Sequence, residues 1–220
     1  MGTIAIYTFM QEGGPMPAQP HNAAAWKAKG FDFICFVTKK GDMPDFNGAW
    51  YIDELPISWP DQRLNAVIPK VNPQSVLEGY EYSLWIDPGV SITGDELYER
   101  CKEMQERGVV YADLRHPSIR SVYGYAWKVW RQGLEPAGLI CKTVAFLVKK
   151  GVRPGDGFHD TSVMLRAHED KAVLEMDRWW WECLLTHAGG HYDRLVHIFA
   201  LKDTPSLKWE YLSSDGTERR

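Results

Sequence analysis

The chain has 220 residues, enough for one domain with a sizeable core, and its 45% hydrophobic and 25% charged residues exclude wholesale disorder. The net charge of -4, with no long basic run, excludes a general nucleic-acid or membrane-surface binder. A local basic pocket for a phosphate stays compatible with that balance.

Ile4 to Phe9 reads as a short buried strand, followed by a Gly/Pro-rich loop from Gln11 to Pro20. Phe31 to Thr38 is a second apolar run whose β-branched and aromatic content predicts a strand, and Ala49 to Leu55 an edge strand ending at Pro56. Asp61 is placed to cap a short helix to Ile68, which Pro69 is expected to close. Tyr82 to Asp87 is a strand ending in a carboxylate, Pro88-Gly89 a turn, and Val90 to Thr93 a short extended piece. Asp95 opens an amphipathic helix to Arg107, Gly108 ends it, and Val109 to Leu114 returns as a strand. This βαβ rhythm predicts an α/β fold with a mostly parallel sheet flanked by helices.

The second half reads as more helical. Tyr123 to Gln132 and Leu139 to Lys150 have helical spacing, with Gly151 as a C-cap. Thr161 to His168 is strand-like, Glu169 to Thr186 a helix closed by Gly189-Gly190, and Asp193 to Leu201 a last short helix. The tail from Ser213 is expected to fray. No repeat or linker divides the chain, so residues 1–220 are expected to form a single domain.

Cys35, Cys101, Cys141 and Cys183 are scattered without a CxxC pair, which predicts buried thiols rather than disulfides or zinc ligands. The start of the chain lacks a signal-peptide pattern and no apolar run is long enough to span a bilayer, so the expected compartment is the cytoplasm. Ten Trp residues suit either a heavy aromatic core or platforms for sugar rings and bases.

In an open parallel sheet, ligands bind beyond the carboxyl ends of the strands, and Asp87 is expected at such an end. A carboxylate there can hold a divalent cation that neutralises a diphosphate, or can simply form the turn. Arg63 and Lys70 lie upstream, suited to phosphate oxygens or to pairing with Asp61 and Glu78. Asp193 can act as a base toward an acceptor hydroxyl or cap its helix, and Glu182 can meet sugar hydroxyls or water.

Several stretches carry a resemblance to a known family. Asp61-Gln62-Arg63, Lys70-Val71-Asn72-Pro73-Gln74 and Tyr80-Glu81-Tyr82-Ser83-Leu84-Trp85-Ile86-Asp87-Pro88-Gly89 come first. His116-Pro117 with Arg120 and Tyr123, Thr161 to Arg166 with His168, Trp179-Trp180-Trp181-Glu182 and Tyr192-Asp193-Arg194-Leu195 follow in order. Together, from about Phe31 to Lys202, they resemble the plant and bacterial glycosyltransferase-like family that includes the mucilage-related and turgor-regulation proteins.

That resemblance implies a GT-A-like fold and transfer of a sugar from a nucleotide-sugar donor to a carbohydrate or glycoconjugate acceptor, in glycan or polysaccharide synthesis. It implies Arg63, Lys70 and Asp87 at the donor, with Asp193 and Glu182 as catalytic carboxylates facing the acceptor. Trp181, His116, Asp160 and Arg166 are the candidates to line the substrate, with packing as the alternative for the Trp run and a structural role the more common one for a lone His such as His116. The resemblance also implies a manganese or magnesium ion on Asp87. Gly89 stands where the second Asp of a D-x-D would be, so a further ligand must come from elsewhere, with His197 and Asp193 as the candidates. A non-catalytic carbohydrate-binding protein on a degenerate GT-A fold is the competing expectation. A hydrolase has no support, since neither a nucleophile elbow nor an HExxH motif is present.

Overall fold

A computed structural model describes residues 3–11, 14, 16–39, 48–56, 58–60, 62–186 and 193–219. Nine strands and seven α-helices occur among them: β1 Ile4–Phe9, α1 Ala23–Lys27, β2 Phe31–Val37, β3 Tyr51–Glu54, α2 Gln62–Val71, β4 Tyr82–Ile86, β5 Val90–Ile92 and α3 Glu96–Glu106. After these come β6 Tyr111–Arg115, α4 Val122–Arg131, α5 Ala137–Lys149, β7 His159–Ala167, α6 Lys171–Thr186, α7 Asp193–Asp203, β8 Trp209–Leu212 and β9 Thr217–Arg219.

Seven strands form one sheet in the order β3-β2-β1-β4-β7-β6-β8. The β3, β2, β1 and β4 strands run parallel, and β6 pairs parallel with β8. β7 is antiparallel to both of its neighbours, a strand from the second half of the chain inserted between β4 and β6.

Strand alternation sorts the core into two layers, because successive side chains point to opposite faces. Tyr7, Trp85, Tyr111 and Met164 pack on one face with buried residues of α4, α5, α6 and α7. Ile6, Leu84, Ala112 and Leu165 pack on the other with Trp26, Leu97, Tyr98 and Cys101 of α1 and α3. Helices on both faces explain why β1 and β7 are buried along their whole length.

Most element expectations match to within a few residues, and Gly108 and Gly151 end their helices at φ 69° and 71°, a region that side chains with a Cβ disfavour. Three differ. α2 runs through Pro69 to Val71 rather than closing there. Proline removes one N–H and crowds the preceding turn, at about 3 kcal/mol. The last turn is nonetheless held, by an Asn72 N–H donating to the Ile68 carbonyl at 2.8 Å and by several partners of Lys70. The tail is not frayed: β8 joins the main sheet, and β9 pairs antiparallel with β5. Cys141 is exposed, while the other three thiols are buried as expected. The predicted cap at Asp61 and the closing Gly189-Gly190 lie outside the described residues. No described helix is long and apolar enough to cross a membrane.

Candidate functional site

The chain enters β1, moves outward to β2 and β3 on one side, then returns to place β4 on the other. The point between β1 and β4 where the winding reverses is where doubly wound sheets open a crevice at their carboxyl ends. Asp87 follows the last residue of β4 there. Its N–H donates to the Ser162 carbonyl at 2.8 Å, and its side chain keeps 18% exposure, which puts it at a rim and not in the closed core.

Three elements converge on this carboxylate. Lys70, in the last turn of α2, places Nζ 3.0 Å from Asp87 Oδ1. Trp85, two residues back on the same strand face, donates its indole N–H to the same oxygen at 2.6 Å. Arg194, in the first turn of α7, donates to Asp87 Oδ2. Lys70 Nζ also lies 2.5 Å from Asp193 Oδ2, so one ammonium bridges two carboxylates. Thr161 Oγ1 donates to Asp193 Oδ2 at 3.4 Å, and Arg194 approaches Asp160 Oδ1 at 3.9 Å.

Burial alone would raise the Asp87 pKa, but the charges of Lys70 and Arg194, with the Trp85 hydrogen bond, hold it down at about 2. Burial likewise works against the Arg194 charge, and Asp87 and Asp193 more than restore it. Asp193 gains from its place in the first turn of α7, where the helix dipole favours an anion, and its carbonyl accepts from Trp180 Nε1 at 2.8 Å.

Beneath the rim lies a second polar layer. Arg166 is fully buried and donates to the Lys70 carbonyl at 2.5 Å, the Tyr7 hydroxyl at 2.6 Å and Asp177 at 3.0 Å. Gln74 completes Asp177 at 2.9 Å. Arg166 was expected to touch substrate; enclosed in this way it instead anchors the end of α2. His197 departs from expectation too. It is fully buried, shares its Nε2 with the Tyr111 hydroxyl at 2.7 Å and packs against Trp180, and among the described residues it belongs to no group of three side chains placed to hold a metal ion.

The remaining expected residues are spread more widely. Asp160 is buried at the register shift between β6 and β7 and accepts from the Ser162 N–H at 3.1 Å. His116 accepts the backbone N–H groups of Ser118 and Ile119 at 3.2 and 3.0 Å and packs near Phe158, a local structural role. Glu182 is exposed beside Arg178, with Arg178 Nε 4.0 Å from its Oε1. Trp181 meets Trp59 edge-to-face at 6.1 Å, and the two rings line a cavity of about 200 Å³ with Ile68 and Asn72. Arg63 lies on α2, and its side chain is outside the described residues. The structure thus brings together Lys70, Asp87, Asp160 and Asp193, and adds Arg194, Trp85 and Thr161. Trp85 was legible as the i−2 neighbour of Asp87; Arg194 carried no signal beyond adjacency to Asp193.

A divalent cation does not fit these residues as they stand. Magnesium and manganese need several oxygen or nitrogen ligands. Both Asp87 oxygens already accept from cations or an indole N–H, Gly89 supplies no carboxylate, and His197 is enclosed in the core with its Nε2 on Tyr111. Among the described residues no group of three His, Cys, Asp or Glu side chains is placed to hold a metal ion.

No protein-family model matches the chain, and no curated protein matches it in sequence. Solved structures do. Mouse xyloside xylosyltransferase 1, in apo form, superposes with a TM-score of 0.52 at 8% identity over 97% of this chain and 85% of that one. The WbbM bifunctional glycosyltransferase, also apo, gives 0.53 at 8% identity, over 97% of this chain and 39% of the larger one. The fold is that of the GT-A glycosyltransferases. Core-mannan synthase A from Aspergillus fumigatus, in its Mn/GDP form, is a looser match, with a TM-score of 0.45 at 12% identity over 96% of this chain and 73% of that one. In this sheet the carboxylate and cation cluster lies at the carboxyl end of β4.

Proposed function

We propose that the chain transfers a glycosyl group from a nucleotide-sugar donor to an acceptor hydroxyl of a carbohydrate or glycoconjugate. One observation carries this reading: Lys70 and Arg194 are gathered on Asp87 at the carboxyl-end switch point of a GT-A-like sheet. The bond between the anomeric carbon and the diphosphate oxygen breaks, and one to the acceptor oxygen forms. Charge then develops on the departing diphosphate, where preorganised cations contribute most. Lys70 and Arg194 are the groups for that task, and Asp193, beside them, takes the acceptor proton. The ordered run of motifs supports placing the chain in the mucilage-related and turgor-regulation family, with a role in glycan or polysaccharide synthesis.

Thermal-shift screening with UDP, GDP, CDP and their sugars tests the proposal. Stabilisation by one nucleotide sugar, together with its slow hydrolysis, is expected, and Asp193→Asn should remove the hydrolysis while keeping the stabilisation. Absence of any nucleotide effect would count against transfer. A second reading, glycan binding without turnover, is favoured by the Trp59–Trp181 cleft, since exposed aromatic faces stack on sugar rings. Binding to free glycans with no response to any nucleotide would select it.

A further inference from the structure

Resting on the transferase reading, we infer that the Asp87 site takes a diphosphate without a divalent cation, with Lys70 and Arg194 as its resident positive charges. The Lys70 ammonium already sits between two carboxylates, 3.0 Å from Asp87 and 2.5 Å from Asp193, as a cation bridging them must. Arg194 occupies the other oxygen of Asp87. A metal taking up Asp87 has to displace both cations from it, and Lys70, 5% exposed, is then left with Asp193 as its one carboxylate partner. Weakening the pairing of a buried charge is unfavourable.

Donor accounting favours a diphosphate. An ammonium has three N–H donors and a guanidinium five. Lys70 gives one each to Asp87 and Asp193, and Arg194 gives one to Asp87 and one to the Tyr125 hydroxyl, so both retain donors for phosphate oxygens. The two cations are also fixed in place. Arg166 holds the Lys70 carbonyl, and Trp180 holds the Asp193 carbonyl at the start of α7, next to Arg194. Asp87 is then a positioning residue that presents two cations, and it competes with the diphosphate for them.

Titration calorimetry with inorganic pyrophosphate, run in EDTA and again in excess manganese, tests this. Affinity should agree between the two buffers to within about threefold. Lys70→Met and Arg194→Gln should each weaken it by about tenfold or more, with folding checked by heat denaturation. Asp87→Asn should keep or tighten binding, because it frees the cations. Binding that requires manganese, or that Asp87→Asn abolishes, overturns the inference. If pyrophosphate fails in both buffers while a nucleotide sugar is cleaved only with manganese, the inference falls and the transferase reading stands. Metal-free pyrophosphate binding with no turnover of any nucleotide sugar supports the inference and sinks the transferase reading.

Discussion

The guanidinium of Arg166 donates to the backbone carbonyl of Lys70 across 2.5 Å, tying the C-terminal end of β7 to the last turn of α2. The same guanidinium is neutralised by Asp177 in a fully enclosed layer. Arg166→Met therefore strands a buried carboxylate and frees the α2 end, and should cost about 3–5 kcal/mol in urea unfolding. Arg166→Met combined with Asp177→Leu should recover much of that stability, but not the position of Lys70, so phosphate binding stays impaired.

Tyr111 and His197 join β6 to α7, the helix that opens with Asp193 and Arg194. His197 Nδ1 is buried without a hydrogen-bond partner, so Tyr111→Phe leaves both ring nitrogens unsatisfied. A loss of about 1–3 kcal/mol is expected by chemical denaturation. Donor affinity measured on the same variant reports whether α7 shifts with it.

Acid should weaken the fold well before the carboxylates titrate. Burial, helped by the charge of Arg166, pushes His168 down from its ordinary 6.5 to about 4, and burial acts on His197 in the same direction. The fold prefers these rings neutral. The contribution of His168 is complete above pH 6.5 and drains away as pH falls from there toward 4, and that of His197 is lost in the same direction. For His168 this amounts to roughly 3 kcal/mol. Melting temperature should fall as pH is lowered across that window, and His168→Gln should flatten the dependence.

The Trp59–Trp181 cleft borders Ile68 of α2 and Asn72 just beyond it, whereas Lys70 points from the same helix to Asp87. If a sugar ring stacks there, Trp181→Ala weakens acceptor binding about five- to tenfold and leaves nucleotide affinity unchanged. Acceptor titration at fixed donor separates the two. An unchanged acceptor affinity in folded protein removes the cleft from the site.

What the amino-acid order disclosed was local. Ile4 to Phe9, Phe31 to Val37 and the Tyr82 to Asp87 strand announce themselves through apolar content and a terminal turn, and Asp87 through its place before Pro88-Gly89. The insertion of β7 between β4 and β6, and the docking of β8 and β9, depend on partners far along the chain. Short polar strands such as Thr217–Arg219 carry no pattern of their own to reveal this. Arg194 was hidden for the same reason, since its partner Asp87 is 107 positions away. Asp95 shows a subtler limit: it does precede α3, yet its carboxylate accepts from Trp26 of α1 at 2.8 Å and makes no cap. Pro69 was misjudged because a breaker's cost is weighed against contacts that only the assembled layers supply.

The β5–β9 ribbon begins three residues beyond Asp87, so the segment leaving the site is clasped by the far end of the chain. Trimming residues 213 onward would bare the row of N–H and C=O groups along Val90–Ile92, and a naked strand margin invites another molecule to add itself. Shortened versions of the protein are therefore prone to stick to one another at the very place where Asp87 meets solvent.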